Sequence, residues 1–182
     1  MGALMLKNFS AVEIAKFLKT KRSDFWMTEG RKRALALFRA TAERVPAYRD
    51  FLKKHKVRPV TIKTWVDFQK VPTVGKKNYL REYSLKDLCW DGTLAKPLTF
   101  TSTSGSTGLP FYFPRQLLLD EQYSTIVETF LSNGNLKKNQ SALVVICFGM
   151  GVWIGGLITY KAFEIAANRL GYPLSIITPG IN

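Results

Sequence analysis

The sequence predicts an α/β protein in which a helical lead-in precedes the first part of a parallel or mixed sheet with βαβ units. Prolines divide the first 90 residues into short stretches whose apolar side chains recur at helical spacing. From Lys96 onward, β-branched apolar runs alternate with longer amphipathic stretches, an order typical of parallel strands joined by helices. We therefore expect a helical region at 1–90 and the start of an α/β core at 91–182.

Capping residues and prolines mark the elements of the helical region. Ser10 and Glu13 have the spacing of a capping box, and a long helix is expected from about Ser23 to Arg44. A short helix follows in VPAYRDFLKKH, after Pro46. Further N-caps are expected at Thr61, at Thr73 and, with Asp87 as its capping-box partner, at Ser84.

Strands and helices alternate in the second region. The stretches PLTFTS and FYF are expected to form a hairpin around a turn rich in glycine and hydroxyl residues. A helix ending at Gly134 is then expected in LLLDEQYSTIVETFLSNG, followed by a buried strand in ALVVICF. After the loop GMGVWIGG, a second helix should end at Gly171, and PLSIITP should form the last strand.

Positive charge is concentrated in the first half of the chain. The 182 residues carry a net charge of +14, and residues 1–96 hold 22 of the 27 lysines and arginines but 9 of the 13 acidic residues. Such a region can be a solvated helical face, or it can bind an anionic partner such as a nucleic acid or a protein. The basic residues are scattered and form no recognisable nucleic-acid motif, which favours the solvated face. A non-catalytic basic binding module is the alternative function.

The numbers of cysteines and histidines and the hydropathy of the chain bear on disulfides, metal sites and membrane attachment. Cys89 and Cys147 are far apart and His55 is the single histidine, so neither a disulfide framework nor a metal site is predicted. This cysteine usage fits a cytoplasmic location. Residues 139–160 are uncharged and long enough for a membrane span. Glycines crowd the second half of that stretch, which favours strand, loop and helix instead.

The stretch FTSTSGSTGLPFYFPR, from Phe100 to Arg115, concentrates hydroxyl and glycine residues in one turn. Backbone amides in such a turn can converge on an anion, and glycines let the chain approach a phosphate closely. The turn differs from a Walker A loop, because it contains no lysine and a strand follows it. Composition alone fits a flexible hairpin tip of small polar residues equally well.

The order of residues in TSTSGSTGLP resembles the phosphate-binding signature of the adenylate-forming superfamily, which includes acyl-CoA synthetases and luciferases. Within the superfamily, the chain most resembles the phenylacetate–CoA ligase branch. The stretches VPAYRDFLKKHKVRP, VPTVGKKNYLREY and CFGMGVWIGGL are similar to segments of that branch in the same order. The resemblance covers about residues 45–182, and it implies an incomplete adenylate-forming N-terminal domain with its phosphate loop at 101–110.

The resemblance also implies a reaction, cofactors and site residues. The family joins a carboxylic acid to ATP with Mg²⁺, forming an acyl adenylate and pyrophosphate, and then transfers the acyl group to coenzyme A. The residues that would hold the ATP phosphates are Thr103, Ser104, Gly105, Ser106, Thr107 and Gly108. Those that would lie near the acyl pocket are Phe148, Gly149, Met150 and Trp153, whose alternative role is core packing.

The chain departs from the family pattern in two ways. Relatives often carry a lysine after the proline of the turn, where this chain has Phe111, and Arg115 is the candidate replacement. The family segments for adenine and ribose, and the catalytic lysine, have no counterpart here, so no catalytic residue is assigned. We expect that the chain does not catalyse adenylation alone. It is expected to be a truncated or split gene product, a piece that works beside a second polypeptide carrying the missing domain, or a fragment. Separately, an exposed sheet edge predicts that the isolated chain self-associates.

Overall fold

The computed structural model describes residues 9–103, 110–134, 136 and 139–180. Over these residues the protein is a mixed α/β chain with a helical N-terminal half and two small two-stranded sheets, one of them parallel. The chain divides into two units. The first comprises Lys21–Lys96, and the second comprises Asn8–Thr20 together with Pro97–Asn182.

The helices and strands follow the predicted order. The described α-helices are α1 (Ala11–Thr20), α2 (Ser23–Arg44), α3 (Pro46–Lys54), α4 (Trp65–Phe68), α5 (Leu117–Asn133) and α6 (Ile154–Leu170). The described strands are β1 (Thr99–Ser102), β2 (Tyr112–Arg115), β3 (Ala142–Val145) and β4 (Leu174–Ile177). Short helical turns of other types span Pro59–Thr61, Lys76–Leu80 and Trp90–Gly92.

An aromatic core holds the first unit together. Phe38 on α2 and Phe51 on α3 are buried, and the ring of Tyr79 meets that of Phe51 edge-on at 5.5 Å between centroids. Edge-on rings place the positive edge of one against the negative face of the other, which adds to the stabilisation from apolar burial. Burial raises the pKa of Tyr79 to about 12. Pro46 begins α3, where its missing N–H leaves no helical hydrogen bond unmade.

The capping predictions have mixed outcomes. The box of Ser10 and Glu13 is confirmed, with the Glu13 amide donating to Ser10 Oγ at 3.2 Å. The prediction of Thr61 as the cap of α4 is wrong, because Thr64 and Asp67 form the capping box there. Thr73 does not cap the next segment either, since the helical turn Lys76–Leu80 begins after Gly75. The Ser84 hydroxyl donates to the Asp87 carboxylate at 2.7 Å and accepts from the Asp87 amide at 3.2 Å, but the two residues open a turn rather than a helix.

Helix α3 ends in a left-handed turn at a lysine. The Val57 amide donates to the Leu52 carbonyl at 2.9 Å and the Lys56 amide to the Lys53 carbonyl at 3.0 Å, the two bonds of a Schellman motif. Lys56 has a φ of 57°. Glycine is the usual residue at this position, because an L-residue with a side chain loses about 1 kcal/mol in this conformation.

A charged cluster fixes the end of α2 to the Trp90–Gly92 turn. The Arg44 guanidinium donates to both carboxylate oxygens of Asp91, at 2.9 and 2.8 Å, and Lys96 donates to the same carboxylate at 3.2 Å. Arg44 also lies over the ring of Trp90, 5.0 Å from its centroid. The hydrogen bonds from Arg44, and then that from Lys96, hold the pKa of Asp91 well below its ordinary value.

We expect the Asp91 carboxyl to stay ionised where an ordinary aspartate gains its proton, at about pH 3.9. Since its pKa is lower in the folded state than in the unfolded chain, its contribution to stability is complete above that pH and is lost as the pH falls through the folded value. Carbon-detected NMR titration measures the midpoint directly. Arg44→Gln should raise the midpoint towards the ordinary value, and an unchanged midpoint would contradict the assigned cause.

The second unit joins a hairpin, two packed helices and a parallel strand pair. The predicted hairpin is confirmed, with Thr99 opposite Arg115 and Ser102 opposite Tyr112. Helices α5 and α6 pack together around Val127, Leu131, Ala162 and Ala166, and α1 packs on α5. The two alanines are fully buried, and their small side chains allow close approach of the helices.

The βαβ unit of the second half is also present. Strands β3 and β4 are parallel, with Ala142 opposite Leu174, and α6 forms the crossover between them. Gly134 and the left-handed Gly171 end α5 and α6 as predicted. The prediction that β3 is buried is wrong, since its side chains alternate and Leu143 is 63% exposed. The alternation means that one face of the strand is covered within the described residues and the other is open.

The uncharged stretch 139–160 is divided between several elements. It contains β3, a loop and the first turns of α6. Within the part of the chain that the structure describes, the search for a helix with the length and hydropathy of a membrane span found none.

Candidate functional site

The first residues of the predicted phosphate loop belong to β1 and serve the fold. Thr101 and Ser102 are buried. The hydroxyl of Thr101 donates to the Phe113 carbonyl at 3.5 Å, and that of Ser102 donates to the Thr103 carbonyl at 2.9 Å. Both hydroxyl protons are therefore used inside the hairpin.

Thr103 is the first of the predicted phosphate-binding residues and lies directly after β1. Its amide donates to the Phe111 carbonyl at 3.2 Å, and its Oγ1 accepts from the Phe111 amide at 3.4 Å. The hydroxyl acts here as an acceptor, so its own proton can still be donated to a ligand. The remaining predicted residues of the loop, Ser104, Gly105, Ser106, Thr107 and Gly108, lie outside the described residues.

The end of β1 meets the glycine-rich loop that precedes α6. The Ser102 amide donates to the Val152 carbonyl at 2.7 Å, and Ser102 and Trp153 form an isolated parallel bridge. Trp153 is the N-cap residue of α6. The end of β1, at Ser102, and the loop GMGVWIGG are therefore neighbours in the structure, although they are distant in sequence.

Glycines allow this second loop to fold tightly against the start of α6. A side chain on Gly156 would collide with the Gly149 carbonyl oxygen and lie 2.7 Å from Met150 Sδ. A side chain on Gly149 would lie 2.9 Å from Trp153 Cδ1. Gly151 has a φ of +77°, a conformation that side chains disfavour. The glycines thus determine where Met150 and Trp153 can lie.

The four residues predicted to lie near an acyl pocket share this one loop. Phe148 is 55% exposed, whereas Gly149, Met150 and Trp153 are half-buried. The aromatic ring of Phe148 is therefore open to solvent in part, and Trp153 is tied to β1 through its bridge with Ser102. A role of these residues in binding an acyl group stays a prediction.

Arg115 was the candidate replacement for the lysine that relatives carry after the turn, and its surroundings contradict that role. It is 3% exposed and forms an ion pair with Asp120, which is 4% exposed. It also lies opposite Thr99, at the end of the hairpin away from the turn. The reason is the position of Asp120 at the start of α5, which draws the guanidinium into the interior. Sequence reasoning missed this partner, although a carboxylate five residues downstream was a visible signal.

Among the described residues, no group of three histidine, cysteine or acidic side chains is placed to hold a metal ion. The hydroxyl of Thr103, directly after β1, is a hydrogen-bond donor of a kind that suits the oxygen atoms of phosphate groups. A scan against models of protein families and a search of curated proteins found no match for this chain.

Proposed function

We propose that this chain is the N-terminal part of an AMP-forming carboxylate–CoA ligase-like protein, in which residues 101–110 bind the phosphates of ATP. One observation carries the proposal. The two stretches that most resemble the ligases are adjacent, joined by the bond from the Ser102 amide to the Val152 carbonyl at 2.7 Å. A loop that binds ATP phosphates and a loop that binds the acid must be neighbours, because the carboxylate attacks the nucleotide.

The residues present fit a triphosphate through uncharged donors. The Thr103 hydroxyl keeps its proton for a phosphate oxygen, while the hydroxyls of Thr101 and Ser102 hold the hairpin in shape. By resemblance, Ser104 to Gly108 would add further hydroxyl and amide donors. Mg²⁺ bound with ATP would neutralise charge on the phosphates.

The same proposal assigns the partners of the site. Phe148, Met150 and Trp153 would contact the acyl part of a small carboxylic acid, and their apolar surfaces favour an apolar or aromatic acid. Coenzyme A would be the co-substrate of the intact enzyme. A second polypeptide or a further segment would supply the catalytic lysine and the adenine site, in a cytoplasmic setting.

Titration calorimetry with Mg-ATP tests the phosphate loop. The double variant Ser104→Ala, Thr107→Ala should bind at least about tenfold more weakly, because it removes two hydroxyl donors to charged oxygens. The matched control is the double variant Thr125→Ala, Ser132→Ala. It also removes one threonine and one serine hydroxyl, but from α5, and it should bind Mg-ATP as the unaltered chain does. Equal affinity of the unaltered chain and the loop variant would overturn the proposal.

A further inference from the structure

A cavity of about 530 Å³ lies in the first unit, beside the end of α3. We call it the α3 groove. Its lining includes four cationic side chains, from Arg49, Lys53, Lys56 and Arg58. It also includes aliphatic side chains, from Leu52, Val57 and Val60. The groove therefore combines a cationic rim with an apolar surface.

The four cations of the α3 groove are only weakly compensated among the described residues, where the charge of Lys53 helps to lower the pKa of Asp50. None of them takes part in an ion pair there, and the nearby Asp50 is engaged by Lys54 at 2.9 Å and by the hydroxyl of Tyr83 at 2.8 Å. An adjoining cavity of about 380 Å³ shares Lys56 and Arg58 and contains Asp67, whose carboxylate caps α4. Like charges in one concave surface repel each other and raise the local potential for an anion.

The left-handed conformation of Lys56 is a second, independent observation. Glycine would satisfy the Schellman end of α3 without strain, yet a lysine with a φ of 57° occupies the position and lines both cavities. Strained residues of this kind cluster at binding sites, where the side chain contributes something that offsets the strain. Here the contribution is a positive charge at the junction of the two cavities.

The apolar surface decides which anion suits the groove. Single-stranded nucleic acids gain affinity by stacking their bases on aromatic side chains, and the lining of the α3 groove contains none. An inorganic polyphosphate would leave the aliphatic surface uncovered. A second copy of this chain has a net charge of +14, which disfavours it as the occupant of a cationic groove. An acidic peptide that also carries an aliphatic side chain satisfies both the cations and the apolar surface.

We propose that the α3 groove docks an acidic segment of a partner protein, whose carboxylates pair with Arg49, Lys53, Lys56 and Arg58 while an aliphatic side chain covers the half-buried Val57 and the exposed Val60. This inference is independent of ATP binding by the second unit. It identifies the basic first half as a protein-docking surface rather than as a solvated helical face.

Fluorescence anisotropy of the full chain with a labelled peptide of repeated Glu-Glu-Leu tests this proposal. We expect saturable binding that weakens with salt, and at least about tenfold weaker binding when glutamine replaces each leucine of the peptide. A labelled single-stranded oligonucleotide and inorganic polyphosphate are compared at the same ionic strength. Tighter binding of either one than of the leucine peptide would overturn the proposal, as would equal binding of the two peptides.

Lys56→Gly separates docking from stability. Glycine relieves the left-handed strain, so the melting temperature should rise by about 2 °C while peptide affinity falls about tenfold. Lys77→Gln removes one charge from the same unit outside the groove and should change peptide affinity less than twofold. Since the Lys56 variant is expected to be the more stable protein, loss of binding cannot come from unfolding. Unchanged peptide affinity of that variant would overturn the assignment.

Discussion

Replacing Asp120 with alanine is expected to lower the free energy of unfolding of the second unit by about 3–5 kcal/mol. Arg115 and Asp120 are both buried and form an ion pair through Arg115 Nη1, and Arg115 Nε has no hydrogen-bond partner among the described residues. Removing the carboxylate would leave a guanidinium charge in the interior without compensation. Because β2 and α5 are tied by this pair, the hairpin that carries the predicted phosphate turn should lose its structure first.

Urea unfolding followed by circular dichroism measures this effect, and two further variants identify its cause. The double variant Arg115→Met, Asp120→Leu removes both charges and should be within about 1 kcal/mol of the unaltered chain or above it. Glu164→Gln removes the carboxylate of the more exposed pair with Lys161 and should cost less than about 1 kcal/mol. The prediction is contradicted if Asp120→Ala lowers the free energy of unfolding no more than Glu164→Gln does. Burial of the Arg115–Asp120 pair would then contribute little to stability.

The second large effect is expected at Gly156, where alanine should lower the free energy of unfolding by about 3 kcal/mol. The added methyl group would collide with the Gly149 carbonyl and press on Met150 Sδ, and the neighbour it meets is backbone, which cannot rotate away. Relief would require the loop before α6 to separate from the helix. The Val152 carbonyl of that loop also accepts the hydrogen bond from the Ser102 amide, so the junction with β1 should be weakened as well.

Gly155→Ala is the matched control for this prediction, because it changes the preceding residue of the same helix. A side chain on Gly155 would lie 3.9 Å from Phe148 Cγ, an ordinary contact distance. Alanine has the higher helix propensity, so stability should be unchanged or increase by up to about 1 kcal/mol. Thermal unfolding of the two variants side by side is the measurement. Similar melting temperatures would mean that the loop adjusts to the methyl group without loss.

Local signals in the sequence predicted much of the fold. Gly171 ends α6 in the left-handed conformation, and the box of Ser10 and Glu13 opens α1, because both features depend on residues within one helical turn. The cap of α4 was misplaced at Thr61 although Thr64 and Asp67 have the same spacing as Ser10 and Glu13. An acidic residue three positions after a threonine was the deciding signal, since it returns a hydrogen bond to the cap.

Features that depend on tertiary packing could not be predicted in the same way. The exposure of Leu143 depends on which face of β3 is covered by other elements. A short apolar run in the sequence does not show whether one face of a strand or both faces are buried. The bond between Ser102 and Val152 joins residues whose register no local pattern specifies. At the candidate site, the sequence therefore predicts β1 and the glycine-rich loop separately, while the contact between the end of β1 and that loop comes from the structure.

The assignment of α1 to the second unit has a consequence for the order of folding. The residues that pack against α1 belong to α5, which begins at Leu117, roughly a hundred residues later in synthesis. At about 5–20 residues per second, the ribosome needs about 5–20 s to make the intervening chain. The first unit is complete within that interval, whereas α1 emerges early and stays without its packing partner. The second unit thus closes last, from two segments of the chain that were made at different times.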